Sequence, residues 1–209
     1  MSDYYDDMDD DDIIEGYCVR DKLMVEIENP EAVWTRKGMA ATRGECPLCG
    51  GTVFRMGKTY LHDGLTAPPA VEVTGSTKRK HAKLPQDTIY ILYADADEAI
   101  AQQIAADLEK SGLKAWLHEP DDHGVAWAGG VHPALKQCNR MLYLLSAEAA
   151  TDASIAQNWQ FFKEKRKPIL VAQVGTADTP DALRRAPRFD FTSDDDFKTT
   201  FRQMMQALG

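Results

Sequence analysis

The sequence predicts an α/β fold built on a parallel sheet, preceded by a small β-rich module that carries cysteines. Two observations carry this prediction. From residue 87 onward, short apolar and β-branched runs alternate with amphipathic helical stretches, and the runs are apolar at nearly every position, as in strands covered on both faces. The cysteines, in contrast, gather early: Cys18, Cys46 and Cys49 fall in the first quarter, and only Cys138 lies far away.

The elements of the second half follow in order. Thr88–Tyr93 (TIYILY) reads as a buried strand. Asp97–Ser111 places Ile100, Ile104 and Leu108 on one helical face, and Ser111-Gly112 ends it. Leu113–Leu117 and Arg140–Leu145 read as the second and third strands. Between them Gly129 and Gly130 disfavour a helix, which is expected to begin only at Pro133 after a long loop. Ser154–Lys165 reads as a helix capped by Ser154, and Pro168–Val174 as the fourth strand. Phe189–Phe191 is a short edge strand, and Asp194–Leu208 a last helix with Phe197, Phe201 and Met204 or Met205 inward. Such alternation implies right-handed crossovers with helices on both faces. Ligands of such sheets bind beyond the carboxyl ends of the strands, a rim that here includes Ala94-Asp95 and His118–Trp127. His118, His123 and His132 are expected to face solvent around it.

Four segments result. Residues 1–15 form an acidic tail, 16–59 the cysteine module, 60–86 a flexible linker with a basic run at 78–81, and 87–208 the α/β domain. The chain has 209 residues and a net charge of -9, and Asp3, Asp6, Asp7, Asp9, Asp10, Asp11, Asp12 and Glu15 account for nearly all of that charge. A block of like charge repels itself and is expected to stay solvated and disordered, either as a solubilising tail or as an arm for a basic partner. No apolar run approaches the roughly 18 residues of a membrane span, and the acidic start is unlike a secretory signal. The expectation is a cytoplasmic protein with reduced thiols.

Cys46-Pro-Leu-Cys49-Gly-Gly is a knuckle, two thiols three residues apart with glycine permitting the turn, and such a knuckle supplies half of a tetrahedral zinc site. Cys18-Val-Arg-Asp21 supplies the other half, with Asp21 where a second thiol would stand. The candidate zinc ligands are Cys18, Asp21, Cys46 and Cys49. Tyr17–Val25, Glu31–Trp34 and Thr52–Met56 read as the surrounding strands. The alternative is a metal-free hairpin module packed on Trp34 and Phe54. Residues 16–59 resemble a small bacterial zinc-ribbon-like domain through Tyr17, Cys18, Val19, the run Asn29-Pro-Glu-Ala-Val33, Gly38, Ala41, Gly44, Cys46, Pro47, Cys49, Gly50, Phe54, Arg55, Gly57 and Lys58. Arg36, Lys37, Arg43, Arg55 and Lys58 raise nucleic-acid binding as an alternative role for this module, against which the acidic tail acts.

Residues 87–208 resemble a bacterial TIR domain. The resemblance rests on Ile89–Asp95 (IYILYAD), on Leu108–Leu117 (LEKSGLKAWL), on Gly124, Trp127, Val131, Ala134, Leu135 and Cys138, on Leu142–Ser146, and on Trp159 with Lys167-Pro168-Ile169. It implies a flavodoxin-like five-stranded parallel sheet and partners that are other TIR domains or further copies of this chain. It also implies NAD as a ligand or substrate near Ala94, Asp95, Gly124, Trp127 and Trp159, since many members cleave the nicotinamide–ribose bond. In those members a glutamate stabilises the sugar cation, and an amide cannot supply that charge. Here Asn158 precedes the tryptophan where one branch has glutamate, and Lys163 stands where another branch has it. Glu164, one place on, is rotated about 100° around the helix. Ala94 replaces the usual serine, and His123-Gly124 the usual Pro-Gly. The expectation is therefore a non-catalytic assembly module in signalling. The alternative is an NAD glycohydrolase in bacterial defence, with Asp95 or Glu164 as the substitute carboxylate.

Overall fold

The computed structural model describes residues 13–71, 88–118, 125–193 and 196–208. Most of the acidic tail, the linker beyond Val71 with its basic run, and the loop positions His123 and Gly124 lie outside them. The described chain divides into two compact units, one of residues 13–71 together with 125–131, the other of the remaining residues.

The first unit is all β. β1 (Glu15–Cys18) and β2 (Leu23–Glu26) form an antiparallel hairpin, while β3 (Glu28–Trp34), β4 (Ala40–Glu45) and β5 (Thr52–Met56) form an antiparallel sheet. The single strand expected over 17–25 is thus broken by a tight turn. The Lys22 amide donates to the Cys18 carbonyl, and Lys22 itself takes a φ of 59°. β4 was not expected from the sequence, because AATRGE lacks the bulky residues that favour strands. Its small residues serve close approach: a Cβ on Gly44 would stand 2.4 Å from the Glu28 carbonyl oxygen. One cluster of its core gathers Ile14, Cys18, Val25, Ile27, Cys46 and Val53, and Val33, Trp34 and Ala41 are buried as well. Trp34 is buried but Phe54 is exposed, so Phe54 does not hold the module together. The unit runs on to Val71, past the expected linker start at 60. His62 accounts for part of this: it is buried, its Nε2 lies 3.1 Å from the Ala41 carbonyl oxygen, and its ring stands edge-on to Trp34.

The second unit is a five-stranded parallel sheet. Its strands β6 (Thr88–Leu92), β7 (Lys114–Leu117), β8 (Arg140–Leu145), β9 (Ile169–Gln173) and β10 (Arg188–Asp190) lie in the order β10-β9-β8-β6-β7. This is the flavodoxin-like order 2-1-3-4-5 read from the far edge. All five residues of β6 are buried, as the unbroken apolar run requires. The helices are α1 (Glu98–Lys110), α2 (Pro133–Gln137), α3 (Ala147–Thr151), α4 (Ala153–Glu164) and α5 (Phe197–Leu208). Ala101, Ile104 and Leu108 of α1 and Met204 and Leu208 of α5 share one core with Ile89, Ile91, Leu142 and Leu144. α4 buries Ile155, Trp159 and Phe162, and Phe162 packs on Tyr90.

Two local details correct the sequence reading. α4 is capped by Asp152, not Ser154: the Asp152 Oδ1 accepts from the amides of Ser154 at 2.7 Å and Ile155 at 3.1 Å. The extra helix α3 precedes it, capped by Ser146 at the end of β8. Both details place polar side chains at the carboxyl edge of the sheet. Among the described residues no helix is long and apolar enough to cross a membrane.

Candidate metal centre and rim cavity

In the first unit, the turn after β1 and the knuckle after β4 bring four ligating side chains together. The Cys46 amide donates to the Gly51 carbonyl and the Gly50 amide to the Cys46 carbonyl, with Gly50 at a φ of +63°. Positive φ is easy only for glycine, so the knuckle can close. The ligating atoms of Cys18, Asp21, Cys46 and Cys49 all lie within 4.8 Å of one another. Asp21 Oδ2 stands 3.1 Å from the Cys18 sulfur and 3.2 Å from that of Cys46, and the Cys18 and Cys49 sulfurs are 3.6 Å apart. Thiolates at about 2.3 Å from a tetrahedral ion stand roughly 3.8 Å from one another, so the cluster has nearly that size. Cys18 and Cys46 are buried while Asp21 and Cys49 reach the surface, which leaves an entry path.

Protonated, the four side chains satisfy one another. Hydrogen bonds from the thiols of Cys49, Cys18 and Cys46 hold the Asp21 carboxyl below its ordinary range. Its bond to Asp21 in turn pushes the Cys49 thiol up to about 12. The thiol protons thus sit where a cation would sit. A divalent ion would replace them and keep the same carboxylate as partner. The cluster can hold a metal ion, and the three sulfurs and one oxygen suit zinc chemistry.

In the second unit a cavity of about 220 Å³ opens at the carboxyl ends of β6, β7 and β8, beside the switch point between β6 and β8. Tyr93, Ala94 and Asp95 line it after β6 and His118 after β7. Glu148 of α3, with Asp152, Ser154 and Ile155 at the start of α4, line the opposite side. His118 is buried, not solvent-facing as the sequence suggested. Its Nδ1 shares a 2.8 Å hydrogen bond with the hydroxyl of the fully buried Tyr90, and its amide donates to the Ile91 carbonyl. Next to the rim, the Ser146 hydroxyl donates to Asp97 at 2.6 Å. Tyr143, which donates to the Ala149 carbonyl, has its phenol pushed up to about 12 by burial and by Asp97 and Asp152.

Of the ligand-binding residues expected from the sequence, Ala94 and Asp95 line this cavity. Trp159 is buried in the core one turn beyond Ile155, with half-buried Asn158 beside it. Trp127 belongs to the first unit. Glu164 is exposed at the far end of α4, and it does not line this cavity. Sequence reasoning missed Glu148, Asp152 and Ser154. Asp152 had left a signal, a capping residue directly before the apolar helical face.

The sheet order, the rim cavity at the switch point and the thiol-bearing unit define a two-part protein with a flavodoxin-like domain. Residues 89–205 match the TIR domain family, and the chain belongs to it. Residues 17–56 match a family described as a domain of unknown function, DUF5679. Among solved structures, the chain is similar to the TIR domain of the Toll-related receptor TRR-2 from Hydra magnipapillata. The match is 19% identical with a TM-score of 0.48, covering 57% of this chain and 95% of that one. No curated protein matches the chain.

Proposed function

We propose that this protein is a TIR module that works by association with other TIR domains or with copies of itself, without NAD cleavage, and that its first unit is a structural zinc domain. The observation that supports the first part is Asn158. The residue before Trp159 on α4 is an amide, and the nearest acid further along the helix, Glu164, is exposed and away from the rim. A departing nicotinamide leaves a sugar cation, and a neutral amide offers it no compensating charge. The zinc reading is supported by the size and composition of the cluster. Under this reading zinc is held by Cys18, Cys46, Cys49 and Asp21 and contributes folding free energy to the unit. Incubating the purified protein with NAD and following free nicotinamide tests the first part. Sustained release refutes it. Light scattering across a concentration series tests association, and a strictly monomeric protein that binds no other TIR domain refutes that.

One observation favours a second reading, NAD glycohydrolysis. The rim cavity carries Asp95, Glu148 and Asp152 together, so carboxylates other than the family's own face the space where a sugar would sit. Under this reading Asp95→Asn or Asp152→Asn abolishes nicotinamide release while Glu164→Gln leaves it intact.

A further inference from the structure

The candidate metal ligands come from two turns that follow different strands. Each turn is closed by its own backbone. The Lys22 amide donates to the Cys18 carbonyl in the first, and the Gly50 amide to the Cys46 carbonyl in the second. Among the described residues, only one hydrogen bond joins the two turns without using a ligating atom: Arg20 Nη1 donates to the Cys49 carbonyl at 3.2 Å. Gly51 makes the room for it. A Cβ on Gly51 would stand 3.7 Å from Arg20 Cζ and 3.2 Å from the Cys49 sulfur. The guanidinium therefore lies across the bare backbone of Gly51, beside the second thiol of the knuckle.

This puts Arg20 on the open side of the cluster. Cys18 and Cys46 are buried, so an ion enters and leaves past Asp21 and Cys49. Arg20 is tied to both: it precedes Asp21 in the chain and holds Cys49 by its carbonyl. It also brings a charge. Three thiolates and a carboxylate carry more negative charge than a divalent ion cancels, and a cation held beside them offsets the excess. Arg20 lies in the turn, outside β1 and β2, so the strands keep their pairing without it.

We propose that Arg20 is a positioning residue of the metal centre, a clamp that holds together the two ligands that reach the surface and slows the escape of the ion. The proposal rests on the zinc reading given above. Groups that orient metal ligands from outside typically change metal affinity by about ten- to a hundredfold when they are removed. An exposed group such as Arg20 belongs at the lower end of that range, and its effect falls on the rate of release because it stands on the path out.

The test uses the full chain loaded with zinc, and the variants Arg20→Ala and Arg20→Lys. Transfer of zinc to an excess of a chromophoric chelator gives the release rate. Arg20→Ala is expected to release zinc about tenfold faster than the parent, with unchanged stoichiometry. Arg20→Lys keeps a cation and a donor but not the planar fork, so its rate is expected to fall between the two. Cobalt in place of zinc is expected to give tetrahedral, sulfur-rich ligand-field bands in all three proteins. Amide exchange in β4, the central strand of its sheet, is expected to be equally slow in all three. Release from Arg20→Ala within about twofold of the parent overturns the clamp. Faster release together with lost protection of β4 also overturns it, because the fold and not the clamp has then failed. Arg20→Lys that releases zinc as fast as Arg20→Ala overturns it as well. A parent that takes up neither zinc nor cobalt overturns the zinc reading and the clamp with it, whereas the other failures leave the zinc reading standing.

Discussion

Asp152 has two duties, and two substitutions separate them. It caps α4 through hydrogen bonds to the Ser154 and Ile155 amides, and its charge faces the rim cavity. Losing a capping side chain costs about 1 kcal/mol and up to ~2 when the helix anchors a core. α4 does so through Ile155, Trp159 and Phe162. Asparagine caps as well as aspartate, so Asp152→Asn gives up only the interaction of charge with the helix N-terminus, about 0.3–1 kcal/mol. With a urea slope of roughly 1.5 kcal/mol per molar, Asp152→Ala is expected to lower the unfolding midpoint by about 0.7–1.3 M and Asp152→Asn by about 0.2–0.7 M. The helical far-ultraviolet signal reports on this unit alone, because every α-helix among the described residues belongs to it. If the alanine variant unfolds within about 0.2 M of the parent, the cap carries none of the assigned free energy. The same pair of variants addresses the chemistry. Any nicotinamide release that both variants lose depends on the charge, whereas release lost only in the alanine variant depends on the fold.

Three further outcomes are expected. The folded protein binds one zinc ion, and Cys46→Ser abolishes binding. Lowering the pH from about 7 to 5 also strips the metal, since protons compete for the thiolates, and a chromophoric chelator reads both effects. Tyr143 keeps its proton well above the ordinary range because burial raises its value to about 12. The neutral form is favoured on folding, so this contribution to stability is whole below about pH 10 and is lost as the pH climbs from 10 towards 12. Spectrophotometric titration shows one tyrosine lagging; a Tyr143 that ionises with the others contradicts the assignment. Phe162→Ala empties a fully buried site against Tyr90, and costs about 3–5 kcal/mol in urea unfolding.

The parallel sheet was legible because its strands are buried on both faces. TIYIL and RMLYLL leave no solvent side to interrupt the apolar run, so the pattern identifies strand and architecture together. Pro133 announced the start of α2 for an equally local reason, its fixed φ and missing N–H. The cap of α4 was not legible. Asp152-Ala-Ser154 offers two good capping residues, and only the separate helix α3, five residues long and without periodicity, decides between them. β4 was hidden because its residues were selected for close backbone approach instead of strand propensity. At the candidate sites, sequence spacing brought the four metal-ligating side chains into view, since they come from two short local turns. The rim cavity was only half visible. Asp95 follows a recognisable strand and Asp152 a capping position, whereas Glu148 reaches the cavity from α3, which no local pattern marks.

Cys18 and Cys46 belong both to the apolar core of the first unit and to its ion-binding cluster. Packing and coordination therefore cannot fail separately. Joining Cys18 to Cys49, whose sulfurs already stand 3.6 Å apart, as a disulfide would remove two ligands and pull one core residue out of place in a single event. Oxidative stress would disassemble this part of the molecule as a whole, and the α/β sheet, whose lone cysteine Cys138 is buried, would outlast it.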